Sequence, residues 1–477
     1  MPAREHGGLP AWETADLPEP LPFSFKNTIR TIGPGAIMLA GCIGGGEWIA
    51  GPLTRVNYGA SILWIATVAI VLQSLFNVEA VRYTLYTGEP IITGFMRLRP
   101  GSKFWGIVYT VLAVAQGGAP AIAATCSAVL FASFMGELAS DSDDNVLFLI
   151  TLGLVLLTTA VLVSGRTIER LLERLAWVMV VLIFGFLFCV NILFVPFEMW
   201  VETSVGFFQF GSLPEEMDIV LIALFAATAG SGGTGNLAIS NWFRDKGFGM
   251  GGRVGAIGGA LRGDGVTLAG VGKVFPTNET NLRRWRSWWK YTLVDQHLLW
   301  GVGALVGMYL NVNLAGAIIP EGTKLPAVEA GAFQAEYLGR MWRGLWFLTL
   351  LNGFWILFST HVSNVDILVR TLTDICWAVS PRARKRRVST IYGILLGFFT
   401  LWALFAASWT TALGLFKIMG IVASPILAMG ALQILRVNTK LLPPELRPSW
   451  WRRGGLLLCA LFYGVFAVAL VRKALGI

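Results

Sequence analysis

Two glycine runs interrupt apolar stretches long enough to cross a bilayer: Gly44-Gly45-Gly46-Glu47 and, farther along, Gly230-Ser231-Gly232-Gly233-Thr234-Gly235-Asn236. In lipid, every backbone N–H and C=O must find a partner, so an irregular stretch survives only where protein packs around it or where it lines a cavity. Paired interruptions in the two halves of a membrane protein predict a solute site near the bilayer midplane. The runs predict broken helices at 44–47 and 230–236, facing each other.

The surrounding chain fits that expectation. Of the 477 residues, 55% are hydrophobic and 14% charged. Windows of about 20 apolar residues predict eleven spans, near 31–52, 59–83, 104–135, 146–164, 172–195, 218–242, 291–312, 343–365, 388–406, 412–435 and 454–474. This is an all-α integral membrane protein. Cys42, Cys126, Cys189, Cys376 and Cys459 lie in or beside apolar segments, without metal-type spacing, and read as packing residues. Residues 1–30 read as a cytosolic tail, disordered over the first 25, that lacks the basic-then-apolar layout of a signal peptide.

A net charge of +9 raises nucleic acid as a partner, but the charges alternate between loops. Basic loops follow spans 2, 4, 8 and 10, with Arg97, Arg99 and Lys103; Arg166, Arg170 and Arg174; the 382–387 run; and Arg436, Lys440, Arg447, Arg452 and Arg453. The 243–290 loop is also long and basic. The opposite loops carry Glu137, Asp141, Asp143 and Asp144, then Glu198, Glu202, Glu215 and Glu216, then Glu321, Glu329 and Glu336. This positive-inside pattern predicts a cytoplasmic N-terminus and excludes nucleic acid as the meaning of the charge. The expected location is a bacterial inner membrane.

The first break sits in Gly33-Pro34-Gly35, then Ile43 and Gly44-Gly45-Gly46-Glu47, followed by Asn57-Tyr58-Gly59-Ala60 and Leu63-Trp64. With Arg82, Thr87-Gly88 and Ala226-Ala227-Thr228-Ala229, this resembles the Nramp (natural resistance-associated macrophage protein) family of proton-coupled divalent-metal transporters. The resemblance covers most of the chain. It implies a LeuT-type fold, with spans 1–5 and 6–10 as inverted repeats and residues 441–477 as an eleventh helix beyond the core. The departures fall on the site. Gly44, Gly45, Gly46 and Glu47 stand where the family has Asp, Pro, Gly and Asn, and glycines replace the sixth-span Met. Ala423 lies near the position of a family glutamine, and span 3 carries Gln116-Gly117-Gly118-Ala119-Pro120 in place of a carboxylate.

Several residues become site candidates. An intramembrane carboxylate is costly and points to function, so Glu47 is read as a cation ligand or proton carrier, against the alternative of a cap on a half-helix. Ser231, Thr234 and Asn236, beside glycine carbonyls, offer hard oxygen ligands suited to Mg or Ca; satisfying the broken backbone is the competing role. Glu79 and Arg82, spaced i, i+3, read as a gate or structural pair, and Asp366 pairs with Arg370 at i, i+4. Gln116 and His361 are candidates for a proton route. Gly247-x-Gly249-x-x-Gly252 copies a dinucleotide fingerprint without a βαβ setting and is dismissed. The Asn278-Glu279-Thr280 sequon falls in a loop expected inside the cell. Trp285, Trp288 and Trp289 read as interfacial anchors. No nucleophile–base pair points to an enzyme, and no cofactor is implied. The expectation is a secondary transporter of a small solute, with a hard divalent cation placed first. A non-metal solute and a non-transporting sensor are the alternatives.

Overall fold

The structure, a computed structural model, describes all residues except 1–5, 118–119, 166, 215–216, 260, 262–264, 321–322, 324, 326–329, 408–411 and 476–477. Arg166, Glu215, Glu216, Glu321, Glu329, Gly118 and Ala119 therefore lie outside the described residues. Ten helices are long and apolar enough to cross a membrane among the described residues, and a split helix supplies one more span.

Span 1 runs Pro34–Tyr58, span 2 Ala60–Thr87, span 3 Ser102–Met135, span 4 Asp144–Ser164 and span 5 Ile168–Phe194. Span 6 is split into Ile219–Thr228 and Thr234–Asp245. Span 7 is Glu279–Ile318, span 8 Arg343–Val379 and span 9 Val388–Ala406. Span 10 is Ala412–Lys440, with Pro425 inside it, and span 11 is Trp450–Leu475. Gly59, at φ 73°, ends span 1 in a conformation that suits glycine and turns the chain directly into span 2.

Burial separates an inner group from a lipid-facing ring. In span 1, 94% of the most apolar window is buried, against 28% in each of spans 4, 5 and 11. Exposed Leu149, Val181 and Leu461 face outward from those spans, as lipid contact requires.

Three sequence expectations need correction. The stretch expected to be a disordered tail is ordered from residue 6 onward and crosses the basic-loop face. Its Glu13–Thr14 strand pairs in parallel with Lys273–Val274, and Leu9 and Leu17 are buried. Trp288 and Tyr291 donate to the carbonyls of Pro18, Leu21 and Pro22. The 243–290 loop is also shorter than expected, because span 6 continues to Asp245 and span 7 begins at Glu279. Apolar windows miss both extensions, since these turns of helix are polar. Trp285 and Trp288 pack inward instead of serving as free interfacial anchors, and Asn278 caps span 7 by accepting the Asn281 N–H at 2.9 Å.

Candidate functional site

The first glycine run is not unwound. Ile43–Ala50 forms a π-helical segment between two α-helical pieces, so span 1 stays helical but widened. The expected break is corrected to a π-bulge, a feature common at functional sites. Span 8 satisfies the disturbed backbone: Thr360 Oγ1 accepts the Gly44 N–H at 3.1 Å, and Ser359 Oγ donates to the Ala40 carbonyl at 2.8 Å. The glycines are there for contact. A Cβ on Gly44 would strike Thr360, and one on Gly46 would strike the Thr228 carbonyl of span 6.

The second run is a true break. The helix stops at Thr228 and restarts at Thr234, with Gly232 and Gly233 at φ 68° and 98°. Two glutamines hold it. Gln116 of span 3 donates to the Gly232 carbonyl and accepts from the backbone N–H and hydroxyl of Thr234 at 2.9 and 2.6 Å. Gln73 of span 2 accepts the Ser231 N–H at 2.9 Å and donates to the Ala227 carbonyl at 3.2 Å. Asn236 does not reach the cavity; it caps the restarted helix through the Gly233 N–H and bonds Asn77.

Between the bulge and the break lies a cavity of about 560 Å³, including its open part. It is lined by Cys42, Gly45 and Gly46 of span 1, Gln116 of span 3, Gly230, Ser231 and Thr234 of span 6, and Thr360 and Asn364 of span 8. Among the described residues no lining side chain is charged. Ser231 Oγ is buried without a partner. The Asn364 side chain makes no hydrogen bond among the described residues, so a hydroxyl and an amide are free to meet a solute.

Gly44 and Glu47 do not line this cavity. Glu47 is fully buried one layer behind it, with Oε1 3.9 Å from Cys42 Sγ and Oε2 unpartnered. The metal-ligand role read for Glu47 thus lacks a wall position. Among the described residues no group of three or more His, Cys, Asp or Glu is placed to hold a metal. His361, with Nε2 buried and unpartnered, lines a small adjoining cavity beside Gln116 and Asn364.

Packed layers flank the cavity. On one side Trp48 is 1% exposed and fills the space between Gly331 and Gly353. On the basic-loop side, span 6 is tied to span 8. Asp366 accepts from Arg370 at 2.9 and 3.1 Å, from Trp242 at 2.9 Å and from Tyr392 at 2.9 Å. Arg370 also meets Asp245, and Arg244 bridges Asp245 and Asp374. Asp295 of span 7 accepts the Gly33 and Gly35 N–H groups at 2.8 and 2.7 Å, fixing the start of span 1. Asp366 and Arg370 pair as spaced, whereas Asp245, Asp295 and Asp374 were passed over, although Asp295 is an intramembrane carboxylate of the same kind as Glu47. Glu79 and Arg82 also pair, at 2.7 Å, and lie away from the cavity with Asn438 and Arg452.

No protein-family model matches the chain, and no curated protein matches its sequence. Solved structures do. A manganese transporter of Eremococcus coleocola, solved as point mutants, aligns at TM-score 0.67 and 14% identity, covering 97% of this chain and 91% of that one. MhsT in complex with L-phenylalanine aligns at TM-score 0.52 and 14% identity, covering 92% of this chain and 98% of that one. The likeness to the Nramp family holds at the level of fold, and the chain has the LeuT-type fold, an integral membrane architecture with spans 1 and 6 at its centre.

Proposed function

We propose that the chain is a secondary transporter that moves a small, uncharged polar solute by alternating access around the span-6 break, with the N-terminus in the cytoplasm of a bacterial cell. The observation that carries this reading is the neutrality of the cavity. Among the described residues it offers hydroxyls, amides and a thiol, and no carboxylate. A bare divalent ion in such a place gives up its hydration shell without a compensating charge, which is prohibitive in a low-dielectric interior. A neutral solute with both donors and acceptors matches Ser231 and Asn364. Glu47, buried behind Cys42 with a free oxygen, is suited to carry a coupling proton.

The hard-cation expectation keeps one specific support: a manganese transporter has this fold. It requires Glu47 to swing past Cys42 into the cavity when a cation enters. Proteoliposome flux with divalent cations and with neutral polar solutes tests the two readings against each other, and absence of flux for both classes favours the sensor alternative.

A further inference from the structure

Arg452, at the start of span 11, is a cation with half a partner. It is 8% exposed and donates from Nη1 to Glu79 Oε1 at 3.1 Å. That carboxylate is already engaged by Arg82, through Nε at 2.7 Å and Nη2 at 2.9 Å, and by Asn438. Arg82 spends its remaining Nη1 on the Leu446 carbonyl at 3.0 Å. One carboxylate therefore faces two guanidiniums, and Nε and Nη2 of Arg452 make no hydrogen bond among the described residues. The surplus charge is held in an aromatic slot, with the guanidinium 4.4 Å from the Trp451 ring and 5.2 Å from the Trp289 ring.

The surroundings specify what fills the vacant donors. Trp450, 84% exposed, and Trp451, 49% exposed, stand at the end of a bilayer-length helix, where tryptophans sit at headgroup level. The first-turn N–H groups of that helix have no intrahelical acceptor, and its dipole favours an anion there. Arg453, next in the chain to Arg452, is exposed. A buried, under-neutralised guanidinium, a helix N-terminus and exposed tryptophans converge at the start of span 11.

We propose that this slot binds the phosphate of an anionic phospholipid in the leaflet on the basic-loop face, with Arg452 as the principal ligand. The bound lipid completes the charge balance of Glu79 and Arg82, and so joins the start of span 11 to span 2. The site is separate from the central cavity and does not rest on the solute assignment.

The full chain in nanodiscs containing equal phosphatidylglycerol and phosphatidylcholine, released into a native mass spectrometer, tests this. The expected result is a phosphatidylglycerol adduct that survives activation sufficient to strip phosphatidylcholine. Arg452→Gln should lower its occupancy about fivefold, the weight of one basic residue at a membrane surface. The exposed double change Arg453→Gln with Trp450→Ala should lower it in the same direction and supplies the test if Arg452→Gln fails to fold. Equal retention of both lipids, unchanged occupancy in these variants, or displacement of the adduct by inorganic phosphate overturns the proposal.

Discussion

The amide oxygen of Gln116 accepts both the backbone N–H and the hydroxyl of Thr234, at 2.9 and 2.6 Å, so a span-3 side chain clamps the restart of span 6. The glycines at φ 68° and 98° set the break, and this clamp together with Gln73 satisfies the backbone groups the break frees. Gln116→Leu removes these bonds while keeping the volume. Each buried group left unsatisfied costs about 1–3 kcal/mol. We expect a lower thermal midpoint and a flux loss of at least tenfold, read by thermal shift and proteoliposome uptake. A variant with wild-type stability and flux removes the clamp from the mechanism.

Cys42 is the natural reporter of the cavity. Cys42, Cys126 and Cys459 are all buried, but of these three Cys42 alone lines the cavity wall. With the exposed Cys189 and Cys376 changed to Ser, alternating access predicts slow alkylation of Cys42 by a small water-soluble maleimide from either side of oriented vesicles. Labelling from one side alone contradicts alternation.

Much of the frame was legible in the sequence. Apolar windows located the spans because membrane insertion depends on summed hydropathy. The span-6 break was legible because four glycines in seven residues cannot hold a regular helix in lipid. The form of the span-1 feature was not. Gly44-Gly45-Gly46 looks like an unwinding signal, but span 8 supplies Thr360 and Ser359 at the right heights, and a wider helix results. No local pattern encodes a partner some 316 residues away. The same holds for Glu47: hydropathy placed it in the membrane, and only the helix rotation shows it behind the cavity wall. Asn236 reads as a ligand by type and is a cap by position. The ordered N-terminal segment was missed because its docking depends on Trp12, Leu17 and distant acceptors rather than on any periodicity.

That segment is anchored on Glu89, which takes Arg97 at 2.6 and 2.8 Å, Tyr83 at 2.5 Å and Trp12 at 3.1 Å. Burial pushes this carboxyl up, but the Arg97 guanidinium outweighs it and holds the pKa below the usual carboxylate range. A depressed folded pKa contributes stability that is fully present above the unfolded value and lost only as pH falls through the folded one. The anchor should therefore persist through mildly acidic pH. Glu89→Gln leaves Arg97 unpaired, a loss of about 3–5 kcal/mol for a broken buried pair. Faster proteolysis within residues 6–24 is expected, and an unchanged cleavage rate argues against the anchor.

The proposed role of Glu47 in coupling, apart from solute binding, is testable. Because it stands behind Cys42 and not in the wall, Glu47→Gln should keep solute affinity within about twofold, less than the 1.4 kcal/mol that a tenfold change represents. Uptake should lose its response to an imposed pH gradient. If the variant binds at least tenfold more weakly and keeps its pH response, Glu47 contacts the solute directly.

The most direct test is uptake into proteoliposomes containing the purified full chain, comparing Mg, Ca and Mn with a panel of uncharged polar solutes first chosen by thermal stabilisation. A neutral cavity predicts saturable uptake of at least one uncharged solute, abolished by Gln116→Leu, with divalent-cation entry no faster than in empty liposomes. Saturable uptake of a divalent cation, reduced by Glu47→Gln, contradicts it.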